Sequence, residues 1–229
     1  LHTQANEKLP YDSIDMDFMN LNQSAHGDRE YGFIVARLGI PHEVVAGYYK
    51  HDDVVAKIRQ FASVAKSISY SKSLKVASFG NNMREVAVTD GDRVESQIKY
   101  GWECNYFALG DVVDTINAVT EEEIDAKMKE YTDKYTMKTD RIDSVREQAK
   151  SEVGLEKFLA ANGIGAFADT FQDLHGLKQL PGIAAQNLMG KGIGFGPEGD
   201  YKIAALGAVL MKMSEKREGA TGFIEDYTY

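Results

Sequence analysis

Cysteine is almost absent from this sequence, and several other features that would define a class of protein are missing too. Cys104 is alone, so no disulfide framework is available, and we expect a reducing, cytoplasmic location. No apolar run approaches the roughly 20 residues that a membrane helix needs, so we expect no membrane partner. The first residues, Leu1-His-Thr-Gln, are polar, and we therefore expect no signal peptide.

Positive charge is also scarce. Lysine and arginine number 26 against 35 aspartates and glutamates, which gives a formal net charge of −9. Without a dense run of basic residues, nucleic acid is excluded as the expected partner. Small neutral or cationic ligands remain open. The 229 residues, 43% of them hydrophobic, suffice for one large domain or parts of two.

Segments with strand and helix patterns alternate along the chain. Glu43–Gly47 has the pattern of a short buried strand, and Asp53–Ile68 has the apolar spacing of a helix. The serine-rich segment Ser67–Ser73 then separates these from a new buried strand, Leu74–Phe79. This alternation predicts an α/β fold with two Rossmann-like or flavodoxin-like units and mainly parallel sheets.

Other elements are predicted from local patterns. Tyr11–Asn22, rich in aspartate and asparagine, is expected to be an ordered loop, and Asp28–Leu38 a helix that begins just after His26. Further helices are predicted at Asp92–Tyr100, at Ser144–Ala161 and after the capping box that begins at Thr120. Ala166–Phe171 alternates like a strand.

Two carboxylates near the C-terminus lie in glycine-rich or polar stretches. Glu198 precedes a predicted helix over Tyr201–Glu215, where free backbone amides and the helix dipole would stabilise its ionised form. Glu225 follows 27 residues later, after the chain can have turned back. Such a pair suits a hard divalent cation or acid–base chemistry on a polyol. Spacing alone favours a simpler interpretation, in which Glu198 is an ordinary acid at a helix start and Glu225 is a solvated acid.

The same stretch matches a nucleotide-binding pattern, G-x-G-x-x-G over Gly194–Gly199. That motif requires a buried strand directly before it, and 191–194 leaves almost no room for one. A glutamate inside the loop would also repel a pyrophosphate. We therefore predict that this segment does not bind a dinucleotide.

Four longer motifs, taken in order, resemble the L-arabinose isomerase family. They are Asp12-Ser-Ile-Asp-Met-Asp-Phe-Met-Asn-Leu-Asn-Gln-Ser-Ala-His-Gly27, Asn82-Met-Arg-Glu-Val-Ala-Val-Thr89, Asp173-Leu-His-Gly-Leu-Lys-Gln-Leu-Pro-Gly182, and Gly194-Phe-Gly-Pro-Glu-Gly-Asp200 with Phe223-Ile-Glu-Asp-Tyr-Thr-Tyr229. Together they cover nearly the whole chain. Pro197 and Tyr201 depart from that pattern, where a small residue and tryptophan are usual, but neither change removes a catalytic group.

The resemblance implies a metal-dependent aldose–ketose isomerase that converts L-arabinose to L-ribulose and also D-galactose to D-tagatose. Glu198 and Glu225 would bind Mn²⁺ and act through an ene-diol, together with two histidines that lie beyond the last residue. Met83 and Phe171 would contact the sugar.

The resemblance also implies a homo-oligomer, a trimer or hexamer, with its sites at subunit interfaces. Gln23 and His26 would contact the sugar in the site of a neighbouring subunit, and so would lie far from Glu198 in their own chain. The role of His175 stays open.

The family pattern divides the chain into 1–73, the end of a first α/β domain, 74–219, the central domain, and 220–229, the start of a third domain. We expect an internal portion of a longer enzyme that is inactive alone. The alternative is a sugar-binding or assembly fragment without catalytic activity. Two converging ionised carboxylates would favour the isomerase, because a sugar-binding module gains nothing from them without a cation.

Overall fold

The computed structural model of the protein describes residues 5–219 and 221–223. The chain divides into two compact units, Leu1–Ala65 and Lys66–Tyr229. Within the described ranges, no helix is both long enough and apolar enough to cross a membrane.

The regular elements among the described residues of the first unit are helices, and residues 38–51 connect two of them. Helix α1 spans Met16–Leu21, α2 spans Ser24–Arg37, and α3 begins in this unit and spans Asp52–Ser71. Asp15 starts α1, because its side-chain oxygen accepts a hydrogen bond from the amide of Phe18 at 2.8 Å and so satisfies a donor that the first turn leaves free.

Three predictions for this unit are wrong in detail. Residues 11–22 are not all loop, since Asp15 caps a short helix there. The next helix begins at Ser24 rather than Asp28, which places His26 inside its first turn. Glu43–Gly47 forms no strand, because residues 5–65 contain no regular strand to pair with it; Val44 is 79% exposed.

Helix α3 continues through most of the serine-rich segment, to Ser71. Serine is tolerated in a helix when its hydroxyl has a partner. Here the Ser71 hydroxyl donates to the carbonyl of Tyr100 at 2.9 Å and accepts from the indole nitrogen of Trp102 at 2.8 Å. The placement of a domain boundary at Ser73 stays a prediction.

The second unit contains the parallel sheet that the strand–helix alternation predicted, and the α/β fold class is confirmed. Strand β1 spans Lys75–Phe79, β2 Glu103–Phe107, β3 Ala166–Asp169 and β4 Gly194–Gly196. Their order is β2-β1-β3-β4, and every neighbouring pair is parallel. Their carboxyl ends therefore lie at one edge of the sheet.

Helices cover both faces of this sheet, as a parallel sheet requires. The remaining helices are α4, Arg93–Tyr100; α5, Leu109–Asn117; α6, Glu121–Lys134; α7, Ile142–Asn162; α8, Gly182–Gly190; and α9, Tyr201–Ser214. One face packs Phe79 and Phe167 against residues of α5, α7 and α8. The other packs Val76, Ala166 and Ala168 against α9, and α6 lies outside α7.

Side-chain caps and a glycine define the ends of α4 and α6. The Asp92 side chain accepts from the amide of Glu95 at 2.8 Å, and Gly101 ends α4 with φ 81°. Thr120 and Glu123 form the predicted capping box at the start of α6. The predicted helix over Ser144–Ala161 is observed, slightly longer, as α7.

A glycine sets the distance between α5 and α7. A Cβ at Gly154 would lie 2.5 Å from Cα of Ile116 and 2.9 Å from its backbone nitrogen, atoms that cannot move without shifting α5. G154A is therefore expected to lower the free energy of unfolding by about 1–3 kcal/mol. The control is G207A in α9, where a Cβ would meet nothing within 4 Å; it should be neutral or stabilising by up to ~1 kcal/mol. Urea unfolding of both variants checks this, and equal stability would contradict it.

Candidate functional site

Three loops meet at the carboxyl edge of the sheet, which is where open α/β sheets bind ligands. We name them loop A (residues 80–86, after β1), loop B (170–174, after β3) and loop C (197–200, after β4). Met83 lies in loop A, Phe171 in loop B and Glu198 in loop C. The structure thus brings three of the predicted site residues to one edge of the second unit.

Glu198 has an unusual backbone and an unpaired side chain. Its φ of 58° and ψ of 20° are left-handed, a conformation that costs about 1–2 kcal/mol for a residue with a Cβ. Its carbonyl oxygen accepts a hydrogen bond from the amide of Met83 at 2.8 Å. The residue is half-buried, and its carboxylate forms no hydrogen bond or ion pair with the part of the chain that the structure describes. The backbone is therefore fixed while the carboxylate is available.

Loops A and C are in backbone contact beside Glu198. Gly199 has φ 77°, and a Cβ there would lie 2.4 Å from the carbonyl oxygen of Asn81 and 2.5 Å from Cα of Asn82. Only glycine permits this approach. The contact and the Met83 hydrogen bond together determine where the Glu198 side chain begins.

The prediction that Glu198 uses the first amides of the following helix is wrong. Those amides belong to Asp200, whose Oδ1 accepts from the backbone nitrogens of Lys202 at 3.0 Å and Ile203 at 3.1 Å. An aspartate directly before a helix reaches these donors with less strain than a glutamate two residues earlier. This leaves Glu198 free of a capping role.

The glycines of the G-x-G-x-x-G pattern also have a structural explanation. In the described part of the chain no strand directly precedes the motif, as expected, because its own first residues, Gly194–Gly196, form β4. A Cβ at Gly194 would lie 2.0 Å from the carbonyl oxygen of Ala204, and one at Gly196 would lie 1.9 Å from that of Asp200. Both glycines therefore allow α9 to pack directly on the strand.

Loop B is linked to loop A by polar contacts. The amide of Arg84 donates to Oε1 of Gln172 at 2.7 Å, and Nη1 of Arg84 contacts Oδ1 of Asp173 at 2.8 Å. Phe171, beside them, is 55% exposed, so its ring is accessible at the edge. Sequence reasoning missed these polar residues, because a contact over 88 positions leaves no local pattern.

A buried acid, Asp169, ends β3 just before loop B. It is 7% exposed and accepts no hydrogen bond from a described side chain. Burial alone raises the pKa of its carboxyl from 3.8 to about 7, because desolvation disfavours the charged form. Sequence reasoning missed Asp169 too. The sequence did contain one indication of it, since Asp169 is the last residue of β3 and the other residues of this strand are apolar.

The other predicted site residues lie elsewhere or outside the described part. Gln23 and His26 are exposed at the start of α2 in the first unit, where the Gln23 amide donates to Asn20 Oδ1 at 3.0 Å. Their predicted separation from Glu198 stays a prediction. Glu225 lies outside the described residues, so its approach to Glu198 also stays a prediction. Residues 5–219 and 221–223 contain no group of three or more histidine, cysteine, aspartate or glutamate side chains placed to hold a metal ion.

Fold and site together define an α/β protein with an open parallel sheet and a candidate ligand site at the sheet's carboxyl edge. Comparison with known proteins narrows this class. The family model for the L-arabinose isomerase central domain matches residues 75–216, and that for the L-arabinose isomerase N-terminal domain matches residues 1–73. The chain belongs to the L-arabinose isomerase family.

Individual relatives are similar in sequence to this chain along its whole length. It is 54% identical to L-arabinose isomerase of Oceanobacillus iheyensis and 53% identical to that of Clostridium beijerinckii. It is 52% identical to L-arabinose isomerase 1 of Bacillus licheniformis. Each comparison covers 100% of this chain but 49%, 47% and 46% of the relatives, respectively. The chain therefore spans about half the length of these curated relatives.

Asp169 makes stability depend on pH in a defined direction. Its raised pKa means that the folded state keeps a proton that the unfolded chain loses above about pH 4. The contribution is fully present below pH 3.8 and is lost as pH rises to about 7. D169N removes this loss, so its stability relative to wild type should rise across that interval, by up to roughly 4 kcal/mol at neutral pH. Urea unfolding from pH 4 to 8 measures it.

The control for Asp169 is D140N, an exposed aspartate outside the sheet. Its stability difference from wild type should stay nearly constant over the same pH range. A flat difference for D169N as well would show that Asp169 is ionised in the folded protein.

Proposed function

We propose that this chain forms part of a metal-dependent aldose–ketose isomerase that converts L-arabinose to L-ribulose, and also D-galactose to D-tagatose. The observation that carries the proposal is the unpaired Glu198 carboxylate, fixed at the sheet's carboxyl edge beside Met83. Family membership supports the reaction class, since the relatives are named L-arabinose isomerases.

The arrangement of Glu198 is that of a functional rather than a structural acid. Its carboxylate has no partner among the described residues, so it is available to a cation or a substrate hydroxyl. The left-handed backbone is strained, and such strain concentrates at functional sites. This strain persists because contacts between loops A and C fix the segment.

The course of the chain after α9 supports an approach of Glu225 to Glu198. The hydroxyls of Ser214 and Thr221 are 3.1 Å apart, so the chain has already turned back at the end of α9. Phe223 lines a groove with residues of α9, including Ile203. Glu225 follows Thr221 by four residues, which can reach at most ~14 Å, and α9 is ~20 Å long. The two glutamate side chains are long enough to span the remaining distance between the two backbones.

Glu198 and Glu225 would hold the Mn²⁺ ion in this proposal. Carboxylate oxygens suit Mn²⁺, and the free Glu198 carboxylate fits the role of one ligand. The two histidine ligands that the family resemblance implies are not assigned to any of the histidines present. When bound, the metal supplies Lewis-acid polarisation of the two adjacent sugar oxygens.

The two glutamates would move the protons of the isomerisation. One carboxylate removes the proton from C2 of the aldose, which leaves the singly ionised form of the ene-diol, and then returns this proton to C1. The other transfers a proton from the hydroxyl on C2 to the oxygen on C1, so that the ketone forms at C2. Atoms and charge balance over the two transfers, and both carboxylates end in their starting state.

Other residues would bind the sugar without taking part in the proton transfers. Met83 and the exposed face of Phe171 would form apolar walls beside the sugar carbons. Gln23 and His26, exposed on the first unit, would reach the site of a neighbouring subunit in a trimer or hexamer. This would make the assembled oligomer the active form.

Replacement of Glu198 tests the proposal. E198Q keeps the side-chain shape but cannot accept the proton or provide a charged ligand, so we expect isomerase activity to fall by at least ~10²-fold. E122Q, at an exposed glutamate of α6, should keep wild-type activity. The assay is L-ribulose formation from L-arabinose with and without Mn²⁺, run on this chain and on a version extended at both ends.

The outcomes of this assay separate the candidate functions. Activity in the extended version that E198Q removes supports the isomerase. Wild-type turnover in E198Q would contradict it. Sugar binding without turnover in every version would favour the alternative, a sugar-binding or assembly module. The chain alone is expected to form no useful amount of ketose, because half of the proposed metal ligands are missing from it.

A further inference from the structure

Loop A makes two consecutive hydrogen bonds to two different loops. The amide of Met83 donates to the carbonyl oxygen of Glu198 in loop C at 2.8 Å. The next amide, that of Arg84, donates to the side-chain oxygen of Gln172 in loop B at 2.7 Å. In the sheet order, β3 lies between β1 and β4. Loop A therefore passes over the end of β3 to reach loop C.

These two bonds fix the orientation of Met83. The amides of residues 83 and 84 flank the two soft backbone dihedral angles of residue 83. Fixing the direction of both N–H bonds therefore fixes the direction of the Met83 Cα–Cβ bond. One of these bonds is to the backbone and survives substitution of side chains. The other depends on a single side chain, Gln172.

Gln172 is supported on both sides. It follows Phe171 directly, and Asp173 forms the ion pair with Arg84 at 2.8 Å. Nη2 of Arg84 also lies 3.4 Å from the carbonyl oxygen of Gln172. Cβ of Asp173 would be 2.9 Å from a Cβ at Gly80, so loops A and B are in close contact as well. Exposed ion pairs contribute little, which leaves the Gln172 acceptor as the specific link.

We propose that Gln172 is a positioning residue, which fixes Met83 relative to Glu198 and Phe171 and so sets how tightly the sugar is bound. The inference rests on the proposed function and deepens it. Gln172 acts through Met83 and takes no part in proton transfer. Its loss should therefore weaken sugar binding while leaving the chemical step nearly unchanged.

Q172A and Q172E separate this role from a merely structural one. Q172A removes the acceptor, so exchange of the Arg84 amide hydrogen should accelerate by roughly tenfold or more. KM for L-arabinose should rise roughly three- to tenfold with kcat changed by less than about twofold. Q172E keeps an acceptor at the same chain length and places a charge near Arg84, so it should restore both values.

Two control variants complete the experiment. Q97A changes an exposed glutamine of α4, and neither measurement should change. D173N removes the charge of the ion pair but keeps the Gln172 acceptor, and its effect should be smaller than that of Q172A. Amide exchange is measured on this chain, and kinetics on the form of the protein that makes ketose.

The results distinguish failure of this inference from failure of the proposed function. If Arg84 exchange in Q172A equals that of wild type and of Q97A, the inference is wrong whatever the activity. An unchanged KM for Q172A in an active protein also overturns it. Fast exchange in Q172A and its rescue in Q172E support the link; absence of any ketose formation then overturns the proposed function and, with it, the sugar-binding role.

Discussion

The close approach of α9 to β4 is the constraint on which the candidate site depends. At Gly194 and Gly196 the helix backbone comes so near that an added Cβ would lie about 2 Å from a carbonyl oxygen. Only the short loop C, which contains Glu198, then connects β4 to α9. The left-handed backbone of Glu198 follows from this short connection, and the contact of Gly199 with Asn81 secures it. A packing requirement in the core thus determines where a surface carboxylate begins.

Two glutamates of the second unit, Glu152 and Glu198, differ in whether their carboxylate oxygens have hydrogen-bond partners. Glu152 is fully buried between α6, α7 and α8, yet both of its oxygens are satisfied, by Lys127 at 2.9 Å, by Tyr131 at 2.5 Å and by Asn187 at 2.7 Å. Such a network maintains a fold, because removal of one partner leaves a buried charge. Glu198, in contrast, has no partner among the described residues. Its carboxylate, at the sheet edge, is therefore available for a ligand.

The sequence predicted features that depend on neighbouring residues. The capping box at Thr120, the helix that ends at Tyr100 and the buried strand after Leu74 follow from local chemistry, and the structure contains them. Glu43–Gly47 has the composition of a strand, but strand formation requires a partner that composition cannot supply. The sequence analysis assigned the first amides of α9 to Glu198, but Asp200 accepts from them. This was missed for a related reason, since only three-dimensional geometry decides which acid reaches these amides. The link from Gln172 to Arg84 crosses 88 positions and could not be inferred locally.

The central claim is that Glu198 and Glu225 converge on one cation. It is tested most directly by a crystal structure of the protein with Mn²⁺ that defines both side chains. The account predicts that their nearest carboxylate oxygens lie roughly 4–6 Å apart with the ion between them, given metal–oxygen distances near ~2.1–2.5 Å. Side chains on opposite faces of the second unit, or an ion bound elsewhere, would contradict it.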